Sequence, residues 1–296
     1  MTITLEAIVA GVTYSLSDRN PFVLLKEAGL GLAPVRRLTE RGPQQHGETD
    51  LGYLLDPRIL KYVFGFAAAD EAEYYTHRQT LLSIFRPALD PVQLRYTLEG
   101  GAVRQIDAQY LSDMDFSSDG RYGALIQKAG VMLRAPDPIF YDPDQQALTF
   151  GLGGGSGGFV VPIAIPLGVG ASSLDETHII DYPGTFESYP VITIDGPITD
   201  CRIEHVTSGD ILDFDGVTIA GGDQYIIDCR YGYKTVTDLA GADKIGELTE
   251  DSDLGTFSLL AHPEAPDGAN SIRVTGSSVT TATQVYIRYY NRYNGF

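Results

Sequence analysis

Residues 92–111 have the sequence VQLRYTLEGGAVRQIDAQYL, and this stretch decides the class of fold. Apolar and polar residues alternate along its first half, where the apolar set is Val92, Leu94, Tyr96 and Leu98. A period of two is typical of a β-strand with one buried face. Gly100-Gly101 offers the positive-φ residues of a two-residue primed turn, and residues 102–111 would return as the partner strand. We therefore expect an antiparallel β-hairpin here.

Other segments before this hairpin also have strand character. Thr2–Leu16 is expected to open the fold as one strand, with a face formed by Ile3, Leu5, Ala7 and Val9. Residues 58–66 (RILKYVFGF) alternate as well, with an apolar side formed by Leu60, Tyr62, Phe64 and Phe66. The residues between them are cut into pieces of strand length by turn signals at Asn20-Pro21, Gly29–Gly31 and Gly42-Pro43.

One segment, residues 68–86, has the pattern of an α-helix. An anionic first turn suits the helix macrodipole, and the acidic residues there are Asp70, Glu71 and Glu73. Pro87 then stops the helix. Its apolar stripe consists of Tyr74, Leu81 and Phe85, flanked by Tyr75 and Leu82. We expect this stripe to pack on a sheet.

A stiff, proline-rich segment divides the chain. Residues 135–144 (APDPIFYDPD) contain three prolines, each of which favours an extended predecessor. The tract GLGGGSGG at 151–158 has the G-x-G-x-x-G spacing of dinucleotide sites, but FVVPIAIPLG follows it and cannot begin the required helix. The sequence therefore predicts an N-terminal domain over 1–135, a Pro/Gly-rich connector over 136–158 and a C-terminal domain over 159–296.

The C-terminal domain is expected to be an antiparallel β-sandwich. Short strand-like runs separated by Gly, Asp and Pro recur in it: Val191 to Ile194, Ile198 to Val206, Val217 to Ile219, Tyr225 to Cys229, Thr256 to Leu260, Ser271 to Thr275 and Gln284 to Tyr290. Strands at intervals of roughly ten to twenty residues suit such a sandwich. The predicted fold class is mainly β, with the helix confined to the first domain.

Composition excludes several classes of protein. The 296 residues, enough for about two domains, include 39 acidic and 21 basic ones, which gives a formal net charge of −18. Stable nucleic-acid binding is not expected, because the cation excess that drives counterion release is missing. No apolar run approaches the roughly 18 residues that span a bilayer, and the start lacks a basic n-region. We expect no membrane insertion and a cytoplasmic start.

The sequence offers weak candidates for catalysis. Glu187 with Asp195 would be the carboxylate pair of a glycosidase, but a chain with 39 carboxylates produces such pairs by chance. The five histidines are scattered singly, and neither H-E-x-x-H nor G-x-S-x-G occurs. Cys201 and Cys229 are expected to be reduced thiols on strands, although whether they pair stays open. We assign no catalytic residue and no cofactor.

Two binding hypotheses stay open. Residues 210–216 (DILDFDG) fail the EF-hand pattern, because Ile211 would be the first ligand; a calcium site from Asp210, Asp213 and Asp215 is less favoured than a solvated turn. No metal ligand is therefore assigned. The final strand is predicted to present one mixed face, suited either to covering the core or to an interface: Tyr286, Arg288, Tyr290 and Arg292.

The C-terminal half resembles the C-terminal domain of siphophage distal tail proteins. The stretch from Tyr182 to Gly216 follows that family's N-x-G-x-x-x-S-Y-P-x-I-x-I-x-G pattern at Ser188, Tyr189, Pro190, Ile192, Ile194 and Gly196. The Gly-x-x-Tyr-x-Ile-Asp run from Gly222 to Asp228 also matches, whereas Tyr182-Pro183-Gly184 stands where Asn-x-Gly is commoner. The proline-rich connector and the helix followed by a hairpin resemble the same family.

This resemblance implies a structural, non-enzymatic virion protein. Family members form a homohexameric ring at the end of a long non-contractile tail, between the tail tube protein and the hub or tail-associated lysin protein. Contact with the tape measure protein is a further expectation. The resemblance implies an N-terminal ring (belt) domain, a galectin-like C-terminal β-sandwich, and residence at the virion tail tip after assembly in the host cytoplasm. The alternative is a carbohydrate-binding adhesion or receptor-binding module at the tail tip.

Overall fold

The computed structural model describes residues 3–116, 125–151 and 172–296. The chain forms two compact units: unit 1 is Met1–Pro143 together with Tyr293–Phe296, and unit 2 is Asp144–Arg292. The change of unit at Pro143/Asp144 falls inside the stretch predicted as a connector. Most of the Gly-rich tract, residues 152–158, lies outside the described residues, so the predicted domain limits stay a prediction.

Unit 1 is built on one antiparallel sheet. Its elements in chain order are β1 (Thr4–Val9), β2 (Val12–Ser15), β3 (Phe22–Ala28), β4 (Val35–Glu40), β5 (Thr49–Leu55), β6 (Arg58–Ala67), α1 (Glu71–Ile84), β7 (Val92–Thr97), β8 (Val103–Asp115), β9 (Ile126–Ala135) and β10 (Phe140–Tyr141). The sheet has the order β2-β1-β7-β8-β9-β6-β3, while β4 and β5 pair in a separate two-stranded sheet.

The hairpin that decides the fold is confirmed, with a different turn. β7 pairs with β8 from Val92↔Ala108 to Thr97↔Val103, and its apolar residues are buried. Only Gly101 has a positive φ (84°), and its N–H donates to the carbonyl of Leu98 at 2.8 Å. The connection is therefore a three-residue loop that ends in one left-handed residue, and the predicted two-residue primed turn is wrong.

The opening segment is a hairpin, so the prediction of one strand over Thr2–Leu16 is wrong. Ala10 (φ 48°) and Gly11 (φ 80°) turn the chain, and β1 pairs with β2 from Glu6↔Ser15 to Val9↔Val12. β1 buries alternate residues, Leu5 and Ala7, whereas no residue of β2 is buried, so the period-two burial belongs to β1 alone. β1 has partners on both sides, and β2 and β3 form the edges of the sheet.

Helix α1 is confirmed and is shorter than predicted. Asp70 is its N-cap and accepts a hydrogen bond from the Glu73 N–H at 2.8 Å, which satisfies a free backbone donor of the first turn. The predicted stripe packs on the sheet: the Phe85 ring stacks on Phe64 at 5.8 Å, and Tyr74 lies 5.6 Å from Phe66. The described helix is too short and too polar to cross a membrane.

Unit 2 contains two five-stranded antiparallel sheets. Its strands are β11 (Gln146–Gly151), β12 (Leu174–Asp181), β13 (Val191–Asp195), β14 (Ile198–His205), β15 (Ile211–Asp213), β16 (Thr218–Ile219), β17 (Gln224–Asp228), β18 (Thr235–Asp238), β19 (Ala269–Ser277) and β20 (Gln284–Tyr289). One sheet has the order β11-β20-β13-β17-β18; the other has β12-β19-β14-β15, with β16 beside β14. Residues from both sheets share one hydrophobic core, which is the arrangement of a β-sandwich.

The predicted strand Thr256–Leu260 is wrong. The N–H groups of Thr256 and Phe257 both donate to the Asp253 carbonyl, which makes a turn, and a single bridge joins Leu259 to Ser188. Phe257 and Leu259 fill the core, and the main chain of Leu260 bonds the Asn270 side chain in place of a neighbouring strand. The main prediction for the whole chain, a mainly β fold with one α-helix among the described residues, is confirmed.

Residues 293–296, which we call the return segment, follow unit 2 in sequence and are part of unit 1. Tyr293 is buried, its ring lies 3.4 Å below the Arg104 guanidinium, and its hydroxyl donates to Asp142 at 3.1 Å. The Phe296 ring lies 5.0 Å from Tyr96 and 4.8 Å from Phe140. The core of unit 1 thus includes residues from both ends of this sequence.

Arg58, at the start of β6, binds the return segment to the rest of unit 1. Its side chain is buried, and it donates to four main-chain carbonyl oxygens at 2.5–2.7 Å: those of Gly29, Gly31, Pro138 and Asn294. Its guanidinium also lies 4.6 Å from the centre of the Phe140 ring. Burial lowers the pKa of Arg58. Carbonyl dipoles, in place of carboxylates, stabilise this buried cation.

Candidate interaction surface

The β4–β5 hairpin is the most exposed secondary structure of unit 1. Its register runs from Val35↔Leu55 through Arg37↔Tyr53 to Glu40↔Thr49, with an irregularity between Leu38 and Thr39. Every residue of β4 is exposed, and β5 is exposed at five of its seven positions. Among the described residues, neither hydrophobic core includes a residue of this hairpin.

Both faces of this hairpin carry apolar side chains in contact with solvent. Val35 and Tyr53 share one face, while Leu38 and Leu54 share the other. The exposed fractions are 60% for Leu51, 55% for Tyr53, 50% for Val35, 49% for Leu54 and 39% for Leu38. A soluble hairpin with a core usually has one polar face. The double-sided pattern makes this hairpin a candidate interaction surface.

Polar contacts fix the shape of the hairpin and add little stability. Arg37 forms an ion pair with Asp50 at 3.1 Å, and its guanidinium lies 5.7 Å from the centre of the Tyr53 ring. Arg36 pairs with Asp56 at 3.5 Å, and the Asp56 N–H donates to the Pro34 carbonyl at 2.9 Å, which closes the base. Exposed ion pairs contribute about 0–1 kcal/mol each. An isolated two-stranded hairpin is at best marginally stable in water.

The family motif of unit 2 proves to be structural. Tyr182 is buried, and its hydroxyl donates to the Phe186 carbonyl and accepts from the Arg292 N–H. A Cβ at Gly196 would lie 2.1 Å from the Ala220 carbonyl oxygen, so only glycine fits there. Ile192 and Ile194 are buried in the sandwich core. The motif therefore specifies turns and packing.

The predicted mixed face of the final strand is only half correct. β20 ends at Tyr289, so Tyr286 and Arg288 share a strand whereas Tyr290 and Arg292 lie beyond it. Arg288 donates to the Thr193 hydroxyl at 3.3 Å and lies 5.2 Å from the Tyr286 ring centre. These contacts suit a role in covering the sheet.

A tyrosine cluster at the β17–β18 connection was not predicted. Tyr231 and Tyr233 are 68% and 61% exposed, and the Lys234 ammonium lies 4.7 Å from the Tyr189 ring centre and 4.9 Å from that of Tyr231. The Tyr189 hydroxyl donates to Glu187 at 2.5 Å. Burial lowers the pKa of Lys234. Tyrosine is enriched in binding surfaces, whereas lysine is depleted in them.

The structure gives other roles to the residues weighed for catalysis and calcium binding. Glu187 accepts from Tyr189, and Asp195 accepts from the Gln224 amide at 2.6 Å. Asp213 forms an ion pair with Arg202 at 3.3 Å, and Asp210 accepts from the Ser208 hydroxyl. Among residues 3–116, 125–151 and 172–296, no group of three His, Cys, Asp or Glu side chains is placed to hold a metal ion.

Buried titratable groups in unit 2 are held neutral. Cys201 in β14 and Cys229 after β17 are free, and burial raises the pKa of each to about 12, so both stay protonated. His205 bonds Asn270 through Nε2 at 2.9 Å and accepts from the Ser208 N–H at 3.0 Å. Burial lowers its pKa. All three side chains are buried within the sandwich.

The sequence analysis did not predict the β4–β5 hairpin as a candidate interaction surface. Turn signals correctly separated its strands, but strand-length pieces say nothing about which faces are covered. A usable signal was present in the sequence. Leu38 lies between Arg37 and Thr39, and Leu54 follows Tyr53. Because neighbouring residues of a strand point to opposite faces, apolar side chains fall on both faces of this short hairpin.

Comparisons with known proteins agree with this architecture. Residues 9–125 match the model of the phage tail protein RIFT-related domain. The solved Dit protein of phage SPP1, described as a paradigm of the hub adsorption apparatus in phages that infect Gram-positive bacteria, has a similar fold: the TM-score is 0.63 at 12% identity over 97% of this chain and 98% of that chain.

A chain of the phage P2 baseplate in its activated conformation with Ca gives a TM-score of 0.49 at 9% identity, over 97% of this chain and 98% of that chain. No curated protein matches this chain in sequence. Residues 9–125 thus match the phage tail protein RIFT-related domain, and the resemblance of this chain to the siphophage distal tail proteins is confirmed.

Proposed function

We propose that this chain is a structural virion protein that forms a homohexameric ring at the distal end of a siphophage tail. The observation that carries the proposal is the β4–β5 hairpin, whose apolar side chains are exposed on both faces. Copies of the same chain are the partners that a closed ring provides, and a heterologous contact that closes generates such a ring. The family of residues 9–125 supports a place in a phage tail.

The proposed neighbours follow from the resemblance. The ring would join the tail tube protein to the hub or tail-associated lysin protein, with the tape measure protein as a further contact. The fold shared with SPP1 Dit, a protein of a hub adsorption apparatus, supports a position at the tail tip. Unit 2 would be the galectin-like sandwich of that family. Non-enzymatic function is part of this proposal.

A second candidate, a carbohydrate-binding module at the tail tip, is favoured by the tyrosine cluster. Tyr231 and Tyr233 present exposed rings on which a sugar could stack, and the Arg230 guanidinium lies 4.5 Å from the Tyr233 ring centre. Saturable binding on a glycan array, lost in a Tyr231→Ala/Tyr233→Ala variant, would favour this candidate over a purely architectural role.

Native mass spectrometry of the full chain tests the ring. We expect a hexamer for the unaltered protein and monomers for a Leu51→Asp/Tyr53→Asp variant, because buried carboxylates would oppose the contact. The matched control is Leu89→Asp, a leucine of unit 1 that is 96% exposed and lies outside the hairpin; it should leave the hexamer intact. A hairpin variant that assembles like the unaltered chain would contradict the proposed surface.

A further inference from the structure

The return segment contacts the roots of the β4–β5 hairpin. Phe296 donates its N–H to the Leu30 carbonyl at 3.4 Å. A Cβ at Gly295 would lie 2.9 Å from the carbonyl oxygens of both Leu30 and Gly31. These residues lead directly into β4, which begins at Val35. The return segment therefore packs closely against one of the two chain segments that enter the hairpin.

Arg58 connects the same segment to the other root. It follows β5 by three residues and begins β6, so it marks the exit of the hairpin. Its guanidinium donates to Gly29 and Gly31 at the entrance and to Asn294 in the return segment. One buried side chain thus joins the entrance of the hairpin, its exit and residues that follow unit 2 in the chain.

Without the return segment, the contacts that hold the two roots of the β4–β5 hairpin would be incomplete. One guanidinium nitrogen of Arg58 would lose its carbonyl acceptor in a buried position, which is a costly loss for a charged donor. The rings of Tyr96 and Phe140 would lose the cover of Phe296, and the Tyr293 side chain would leave the core. The hairpin roots would then be free to move.

We propose that the return segment acts as a lock, by which we mean that it fixes the two roots of the β4–β5 hairpin. Residues 293–296 come after all of unit 2 in the chain, so the hairpin reaches its assembly-competent position only once unit 2 has been synthesised. Chains that lack residues 293–296 would then not self-associate through this surface. The assembly part of this inference rests on the proposed function, whereas the fixing of the hairpin roots does not.

Hydrogen exchange and native mass spectrometry test the lock on three forms of the chain: unaltered, ended after Arg292, and Gly295→Ala. In the shortened chain we expect amide exchange around Gly29–Gly31 and at the start of β6 to rise about tenfold to a hundredfold, with the strands of unit 2 unchanged. Gly295→Ala should give a smaller rise, because its new methyl group pushes on Leu30 and Gly31. Oligomers should be lost in the shortened chain.

The matched control is Gly246→Ala in unit 2, where an added Cβ meets nothing within 4 Å; its exchange and assembly should equal those of the unaltered chain. Unchanged exchange at the hairpin roots of the shortened chain would overturn the lock. Raised exchange with full assembly would overturn its role in timing. A monomeric unaltered chain would contradict the proposed ring, and the exchange comparison would still decide whether the segment fixes the roots.

Discussion

Unit 1 contains two long hairpins with similar apolar content and opposite environments. In β7–β8, the apolar side chains Leu94, Tyr96 and Ile106 are fully buried against α1 and the rest of the sheet. In β4–β5, comparable side chains such as Leu51 and Tyr53 are more than half exposed. Both hairpins have an antiparallel register. The difference is that only β7–β8 continues into a sheet on both sides.

This difference shows that the pairing of two strands and the burial of their side chains are separate properties. Burial of apolar area is the main stabilising contribution in folding, at roughly 25 cal/mol per Å². The β7–β8 hairpin gains that contribution within the monomer, whereas β4–β5 would gain it only when covered. The first is therefore a determinant of stability, and in the proposed ring the second would be a determinant of association.

The largest expected effect is the loss of a core side chain from β7–β8. Leu94→Ala should lower the free energy of unfolding by about 2–5 kcal/mol, because the buried methyl groups are lost and a cavity remains. Leu51→Ala is the matched change in β4–β5 and should alter it by less than about 0.5 kcal/mol. Urea denaturation, followed at a concentration where both variants are monomeric, measures the two values. Equal losses of unfolding free energy in the two variants would contradict the proposed difference between the hairpins.

An intermediate effect is expected in the β7–β8 turn. Gly101 has φ of 84°, so Gly101→Ala should cost about 1–2 kcal/mol, since a Cβ disfavours the left-handed region. Gly100 has no positive φ and open space around it, so Gly100→Ala is the control and should be close to neutral. Thermal unfolding of the two variants decides whether one left-handed residue determines this loop.

The smallest effect concerns a carboxylate in β8. Burial raises the pKa of Asp107 above its ordinary 3.8, partly offset by hydrogen bonds from Tyr141 and Gln93. The folded state therefore binds a proton more readily than the unfolded state, and stability falls as pH rises from 3.8 through the folded pKa. Asp107→Asn keeps an acceptor for Tyr141 and should be the more stable form at pH 7.

Denaturation of both forms across pH 3–8 checks this sign. The advantage of Asp107→Asn should shrink as the pH falls towards 3.8 and vanish below it, where both side chains are neutral. A variant that is less stable at pH 7 would show that the charged carboxylate is favoured in the folded state.

Sequence patterns predicted the elements whose signals are local. The alternation of Leu60, Tyr62, Phe64 and Phe66 predicted β6, since each of these residues is buried on one face. The acidic start of α1 was visible because capping and dipole effects act within one turn. Failures came where local signals were ambiguous. Ala10 has a positive φ that an alanine does not predict, and the apolar residues Phe257 and Leu259 do not belong to a strand.

The candidate surface was harder to predict than the fold. The exposure of Leu51 and Tyr53 depends on β4–β5 lying outside the main sheet, and that topology results from pairings far apart in sequence. The contact of Arg58 with Asn294 spans 236 positions, and no spacing rule connects them. The family motif at 182–196 was visible because tight turns and core positions depend on individual residue types.

The four hydrogen bonds that Arg58 donates to main-chain carbonyls affect how related sequences can diverge. The four acceptors are backbone oxygens, which any amino acid provides, so residues 31, 138 and 294 can drift without weakening these bonds. Gly29 is constrained for another reason, because a Cβ there would lie 2.3 Å from the Ile59 oxygen. Selection at this junction is thus concentrated on a single side chain, and descendants of this chain should retain arginine there while the surrounding sequence changes.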